Sequence, residues 1–261
     1  MIVVKFGGHA MTDKDGAFAS VISAAISQGI AVVVVHGGGP QIDQALKSAG
    51  IESTFVGGFR VTTPEVFAIV ERVLAKEVGP QVTSSLVAHG IAAQAISGRE
   101  SGTLIAVALR NLVDGSPADL GLVGVVTQVN IKKVKALVAA GIVPVVSPIA
   151  SDSTGTVGYN VNADLAAAAI AGALDAESLI VMTDVEGIYR HWPDKDSLIS
   201  TISASELSKI KSTFAQGMAP KVQASLDAIS AGAKAVRIID GTDPLAFGRA
   251  LQNQGGTLVV A

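Results

Sequence analysis

The chain has 261 residues, 49% apolar and 16% charged, with a mean hydropathy of +0.51; that much apolar side chain can bury a large core and excludes disorder. Lys and Arg number 19 against 22 Asp and Glu, a net charge of −3 with no basic block, which argues against nucleic acid or a polybasic membrane contact as partner. Cys is absent, removing disulfides, thiolate metal sites, Cys nucleophiles and iron–sulfur clusters together, and 4 His leave little room for a His-rich metal site.

Short β-branched runs alternate with stretches of helical length. In chain order the pattern predicts a strand over 2–6, a helix over 16–28, a strand over 31–35, helices over 40–49, 64–74 and 81–89, and a strand over 92–96. Residues 97–130, rich in Gly, Val and Thr, predict short antiparallel strands near one end of the sheet. A helix over 132–140, a strand over 143–146, a helix over 163–174 and a strand over 178–182 follow. Residues 184–200, with Gly187, Tyr189, Trp192 and Pro193, are a polar excursion, and helices over 203–214 and 220–231 lead to a strand over 235–239. Gly29, Gly50, Gly90, Gly141, Gly172 and Gly232 mark helix C-termini. Continuously apolar strands suit a sheet covered on both faces. The fold class is therefore α/β with a largely parallel sheet and right-handed crossovers, in two lobes that share one sheet and meet near residue 150. The apolar runs, such as 30–35, are strand-length and well short of the roughly 18–20 residues of a membrane span, and the N-terminus has no signal-peptide pattern, so a cytoplasmic address is expected.

Five segments carry chemistry. Lys5-Phe6-Gly7-Gly8 ends a strand with an amine and two glycines, whose backbone N–H groups can approach an anion where open α/β sheets place ligands. His36-Gly37-Gly38-Gly39-Pro40 leads a buried strand into a helix start, another anion site, and is neither a Walker A loop nor a dinucleotide fingerprint. His36 itself reads first as a packed residue. Gly57-Gly58-Phe59-Arg60-Val61-Thr62 offers a guanidinium fork for a carboxylate or phosphate, with a surface salt bridge as the plain alternative. Asn160-Val161-Asn162-Ala163-Asp164 precedes a helix; capping needs one polar side chain, and three alternate here. Gly217-Met218-Ala219-Pro220-Lys221 puts a Lys in a helix's first turn, against the dipole, which makes sense beside an anion.

In this order and spacing the five segments resemble the amino acid kinase superfamily, most closely its acetylglutamate kinase branch, over nearly the whole chain. The stretches 96–98, 119–124, 183–189 and 255–257 match as well. The loop at 36–40 with Gly58 to Thr62 and 160–164 separates the chain from aspartate, glutamate 5-, carbamate and uridylate kinases. The resemblance implies a three-layer αβα sandwich. Residues 1–150 would form an N-lobe for the amino acid and for dimerisation, and residues 151–261 a C-lobe for ATP. It implies transfer of the γ-phosphoryl of ATP to the side-chain carboxylate of N-acetyl-L-glutamate, the second step of arginine biosynthesis. Lys5 would act at the γ-phosphoryl, Lys221 on the leaving side, and Asp164 would hold both. Gly8 and Gly38 would donate N–H groups to the transferring oxygens. Gly37, Gly38, Gly39, Arg60 and Asn160 would bind the amino acid, with Arg60 on its α-carboxylate. Lys5, Gly7, Gly8, Thr183, Asp184, Gly187, Ile188, Tyr189, Gly217, Met218 and Lys221 would line the nucleotide site, and Mg2+ would be held mainly by phosphates and water. An ionised carboxylate nucleophile needs no general base, which suits the absence of a Ser/His/Asp set.

The chain departs from the family pattern on the amino acid side. A Gly-Lys-x-Asn-Lys run gives way to Ala75-Lys76-Glu77-Val78-Gly79-Pro80-Gln81, which bears on both a helix and polar contacts there, and Arg99-Glu100-Ser101 replaces Lys-Asp-Gly. Two other readings follow: a kinase for carrier-linked aminoadipate or glutamate, and a non-catalytic binding protein of the same fold, which retention of Lys5, Asp164 and Lys221 argues against. Arginine-inhibited family members carry an extra N-terminal helix. With a strand starting at Ile2, a homodimer without arginine feedback is expected.

Overall fold

The computed structural model describes residues 1–7, 16–214 and 218–261, so the expected site residues Gly8 and Gly217 lie outside the described residues. The strands are β1 (Ile2–Phe6), β2 (Val32–His36), β3 (Phe55–Val56), β4 (Phe59–Arg60), β5 (Ala93–Ser97), β6 (Leu104–Ala108), β7 (Val123–Val129), β8 (Val143–Ser147), β9 (Ile149–Ser151), β10 (Gly158–Val161), β11 (Ser178–Thr183), β12 (Thr201–Ser203), β13 (Ala235–Asp240) and β14 (Thr257–Val260). The α-helices are α1 (Ala17–Ser27), α2 (Gly39–Ser48), α3 (Pro64–Arg72), α4 (Gly79–Ala88), α5 (Lys132–Ala139), α6 (Ala163–Ala173), α7 (Ala204–Ile210), α8 (Ala219–Ser230) and α9 (Ala246–Leu251).

Eight strands form the central sheet in the order β12-β14-β13-β11-β1-β2-β8-β5, parallel throughout except for the β13–β14 pair. Alternation along each strand sends successive side chains to opposite faces. Val3, Val33, Val35, Leu179 and Val181 join one core with α5, α6 and α8, while Val4, Val32, Val34 and Ile180 join another with α1, α2, α4 and α9. These two cores make the three layers of an αβα sandwich. The four strands β6, β7, β9 and β10 close into a small barrel beside it.

Local chemistry sets the helix starts. Thr63 caps α3 by accepting from the Val66 N–H, with Pro64 in the first turn. Asn162 caps α6, accepting from the N–H groups of Asp164 and Leu165. Ser203 and Glu206 form a capping box on α7.

Three features differ from the sequence pattern. The helix expected to stop at 74 runs on through a π-helical turn, Val73–Val78, into α4. Pro80 has no N–H to donate, and the wider turn, closed by Gly79 N–H to the Leu74 carbonyl, absorbs it within the rod. Gly172 falls in the last turn of α6, one residue before its end, without the positive φ that Gly29, Gly50, Gly90, Gly141 and Gly232 adopt: a Cβ there would sit 2.3 Å from Ala231 Cβ, so this glycine marks the α6–α8 contact. The antiparallel pair expected within 97–130 is β6–β7, but β9 and β10 complete its barrel, and α9, β12 and β14 carry too few residues for periodicity to reveal them.

Candidate functional site

The site opens at the carboxyl ends of β1, β2 and β11. Lys5 points to the same face as Val3, the face that α6 and α8 cover. The Ala-rich α6 packs closely on α8, which brings together the first turns of the two helices, one bearing Asp164 and the other Lys221. Lys5 Nζ lies 2.9 Å from Asp164 Oδ1, and Lys221 Nζ lies 2.9 Å from Asp164 Oδ2. The Lys221 contact has hydrogen-bond geometry, whereas Oδ1 has no aligned donor and meets Lys5 as an ion pair. Asp164 is buried, which by itself raises a carboxyl pKa; the charges of Lys5 and Lys221 outweigh burial and hold it at about 2. The result is one permanent carboxylate clamping two amines from opposite ends of the chain. Gly7 contributes by size, since a Cβ there would stand 2.9 Å from Lys5 Nζ.

The loop between β2 and α2 forms the next wall. Gly38 has φ +156°, and a Cβ there would meet Leu74 Cδ2 at 2.5 Å, so the π-helical turn closes directly on this glycine. His36 is fully buried behind the loop. Its Nδ1 lies 2.7 Å from the Gly37 carbonyl and its Nε2 lies 2.9 Å from Ser147 Oγ. Burial lowers its pKa to about 4, despite the Gly37 contact that opposes the shift, so the ring is neutral at pH 7. The packed reading of His36 therefore stands, with a structural duty: it ties the glycine loop to β8. Gly37, Gly38 and Gly39 all line the site cavity.

That cavity, of about 360 Å³, is also lined by Lys5, Arg60, Asn160, Asp164 and Lys221. Arg60 is buried, with Nη1 2.6 Å from Asp43 Oδ1 and in contact with Ser53 Oγ, and its guanidinium lies 4.6 Å from the Phe55 ring centroid. Asp43 feels burial, which raises its pKa, but the Arg60 and Ser53 hydrogen bonds and the Arg60 charge prevail and lower it. Asn160 Nδ2 donates to Thr62 Oγ1 at 3.1 Å, and Thr62 Oγ1 donates to the Arg60 carbonyl at 2.8 Å.

A second cavity, of about 750 Å³, lies on the other side of Lys221 and shares Thr183, Asp184 and Lys221 with the first. Of the residues expected around the nucleotide, Thr183, Asp184, Tyr189, Met218 and Lys221 line it. Ile188 is instead fully buried, and a Cβ on Gly187 would meet Thr257 Oγ1 at 2.4 Å, so both are packed against the C-terminal strand rather than on the cavity wall. Trp192 and Phe214, which the sequence pattern did not single out for the site, do line it. The only signal for Trp192 was a large aromatic ring in a polar excursion. Asp43, Ser53 and Ser147 had no signal, because their roles exist only across separate elements.

The departures from the family pattern cluster with one another. Lys76 pairs with Glu100 at 2.6 Å and Arg99 with Glu71 at 2.8 Å, around a shallow surface cavity, and residues 75–81 and 99–101 line neither of the two site cavities. The helix across 75–81 is intact.

Residues 1–240 match the amino acid kinase family. The acetylglutamate kinase of Nocardia farcinica (strain IFM 10152) is 47% identical over 246 residues, 94% of this chain and 81% of that protein. The acetylglutamate kinase of Mycolicibacterium vanbaalenii is 48% identical over 243 residues, 92% of this chain and 83% of that protein. Among solved structures, smu.665 from Streptococcus mutans UA159 superposes with a TM-score of 0.83 at 27% identity, covering 100% of this chain and 98% of that one. The chain belongs to the amino acid kinase family, grouping there with relatives that bear the name acetylglutamate kinase.

Proposed function

We propose that this enzyme transfers the γ-phosphoryl group of ATP to the side-chain carboxylate of N-acetyl-L-glutamate, giving N-acetyl-glutamyl 5-phosphate and ADP, the second step of arginine biosynthesis. The observation that carries the reading is the Lys5–Asp164–Lys221 clamp on the wall between two cavities that share Lys221. Phosphoryl transfer spreads negative charge over the moving oxygens and needs positioning and electrostatics rather than a covalent intermediate. In this reading Lys5 meets the γ-phosphoryl and Lys221 the leaving oxygen. The N–H groups of Gly8 and Gly38 would donate to the transferring group. Arg60 would turn the free part of its fork to the α-carboxylate, and Asn160 would meet the acylamino group. The amino acid cavity then belongs mainly to residues 1–150, completed by 160–164 and the shared wall of Thr183, Asp184 and Lys221, and the nucleotide cavity to residues 151–261.

Mg2+ would arrive with the nucleotide and neutralise phosphate charge. Among the described residues no group of three or more His, Asp or Glu could cage an ion, and Asp184, on the shared wall, is the carboxylate within the nucleotide cavity. No helix among the described residues is long and apolar enough to cross a membrane. A cytoplasmic homodimer completes the proposal, and light scattering would give its mass.

The test is ADP release with acetylglutamate, free glutamate, aspartate and a carrier-linked aminoadipate peptide, wild type against Lys5→Ala. Acetylglutamate should be strongly preferred, and Lys5→Ala should lose about 100-fold or more in kcat. A preference for the carrier peptide would move the substrate, and equal rates in both proteins would remove Lys5 from the mechanism.

A further inference from the structure

Thr62 is buried to 0% exposure and bonded to Asn160, which lines the amino acid cavity, yet the residue has no place in the reaction described above. Its backbone is pinned on both sides: its N–H donates to the Leu120 carbonyl at 2.9 Å and its carbonyl accepts from Leu122 N–H at 2.7 Å. The approach is tight enough that a Cβ on Gly121 would lie 2.4 Å from the Thr62 carbonyl oxygen. Asn160 is fastened to the same unit, its N–H donating to the Leu122 carbonyl at 2.8 Å. The two side chains therefore meet on fixed backbones.

With the Thr62 proton on the Arg60 carbonyl, the donors and acceptors at this meeting point have one arrangement. A hydroxyl carries a single proton and two lone pairs. Thr62 spends its proton on the Arg60 carbonyl, which can only accept. The same oxygen can then only accept from Asn160, so the Asn160 amide must turn its NH2 toward Thr62 and its carbonyl oxygen away. No donor among the described residues bonds Asn160 Oδ1, and Asn160 lines the cavity.

We propose that Thr62 is a positioning residue that locks the Asn160 amide with Oδ1 toward the cavity, so that the site reads a substrate N–H and rejects an acceptor at that position. Resting on the acetylglutamate reading, this assigns Asn160 to the amide N–H of the acylated substrate rather than to its acyl carbonyl.

The experiment compares acetylglutamate with 2-acetoxyglutarate, the isosteric ester in which an oxygen replaces the amide N–H, in wild type, Thr62→Val and Thr62→Ser. Wild type should favour the amide by about tenfold or more in kcat/KM, because the ester sets a lone pair against Oδ1. Thr62→Val should raise KM for acetylglutamate about tenfold with kcat and KM for ATP nearly unchanged, and should narrow the amide preference to below about threefold, since either amide orientation is then open. Thr62→Ser should restore both. Equal use of ester and amide by wild type, or an unchanged preference in Thr62→Val, overturns the proposal. If Thr62→Val does not fold, the wild-type ratio together with Thr62→Ser decides. If wild type turns over neither compound, the functional reading fails separately. The orientation is then decided by NMR: slow exchange of one Asn160 side-chain amide proton supports the lock, and fast exchange of both overturns it.

Discussion

Replacing Asp164 with Asn keeps the shape of the clamp and removes its charge. The carboxyl is held at about 2 against an ordinary 3.8, which at about 1.4 kcal/mol per pH unit corresponds to about 2 kcal/mol of folding stability at neutral pH. A folded pKa below the unfolded one means this stability is complete above pH 3.8 and is lost as pH falls through 2. The substitution also strands two ammonium groups whose side chains are only 9% and 17% exposed. Breaking a buried pair costs about 3–5 kcal/mol, and because Lys221 sits nearer solvent the lower end, about 3 kcal/mol, applies. For a chain of this size that is a fall of about 6–12 °C in Tm. Activity should fall further: with the two amines no longer held at the reacting group, kcat should drop about 100- to 1,000-fold. ADP release and thermal unfolding at pH 7 would measure both. Asp164→Asn combined with Lys221→Met should recover stability, because one stranded charge is gone, without recovering turnover. An Asp164→Asn enzyme within threefold of wild-type kcat, or with an unchanged Tm, would refute the clamp.

His36 supplies a second pH signature. Its folded pKa of about 4 lies below the ordinary 6.5, so the unfolded chain binds more protons between those values, and stability falls as pH drops from 6.5 to 4 by about 3 kcal/mol. His36→Gln should flatten that limb in urea titrations at pH 7, 5.5 and 4.5; identical slopes in both proteins would contradict a buried neutral ring. Trp192 is the single Trp, 63% exposed, and lies edge-on to Tyr189 at 5.2 Å on the wall of the larger cavity. Its emission should shift to shorter wavelength and saturate as ADP is added, and an unresponsive spectrum at saturating ADP would detach that cavity from the nucleotide.

Much of the sheet was legible because strands buried on both faces read as continuous apolar runs, and the β1, β2, β8, β11 and β13 segments lie within a residue of their expected bounds. The elements that escaped, α9, β12 and β14, span one or two turns or three or four residues, too short for a period to repeat. The π-helical turn escaped because a proline in a helical pattern reads as an end, whereas here the rod widens by one residue and carries on.

By itself the sequence pointed to the groups proposed for the site: a lysine at a strand end beside two glycines, a second lysine set against its helix dipole, glycines where a bare backbone can reach an anion, and an excess of polar residues ahead of α6. Those signals are local, since each depends on a strand end or a helix start that nearby residues define. Only the tertiary structure decided which groups meet. The packing of α6 on α8 joins Asp164 to Lys221 across 57 positions of chain, and the barrel sets Thr62 beside Asn160 across 98. It also withdrew Gly187 and Ile188 from the cavity and put Trp192 there. Hydrogen bonds and charge contacts act over a few ångströms of space, and separation along the chain carries no record of them until the layers have packed.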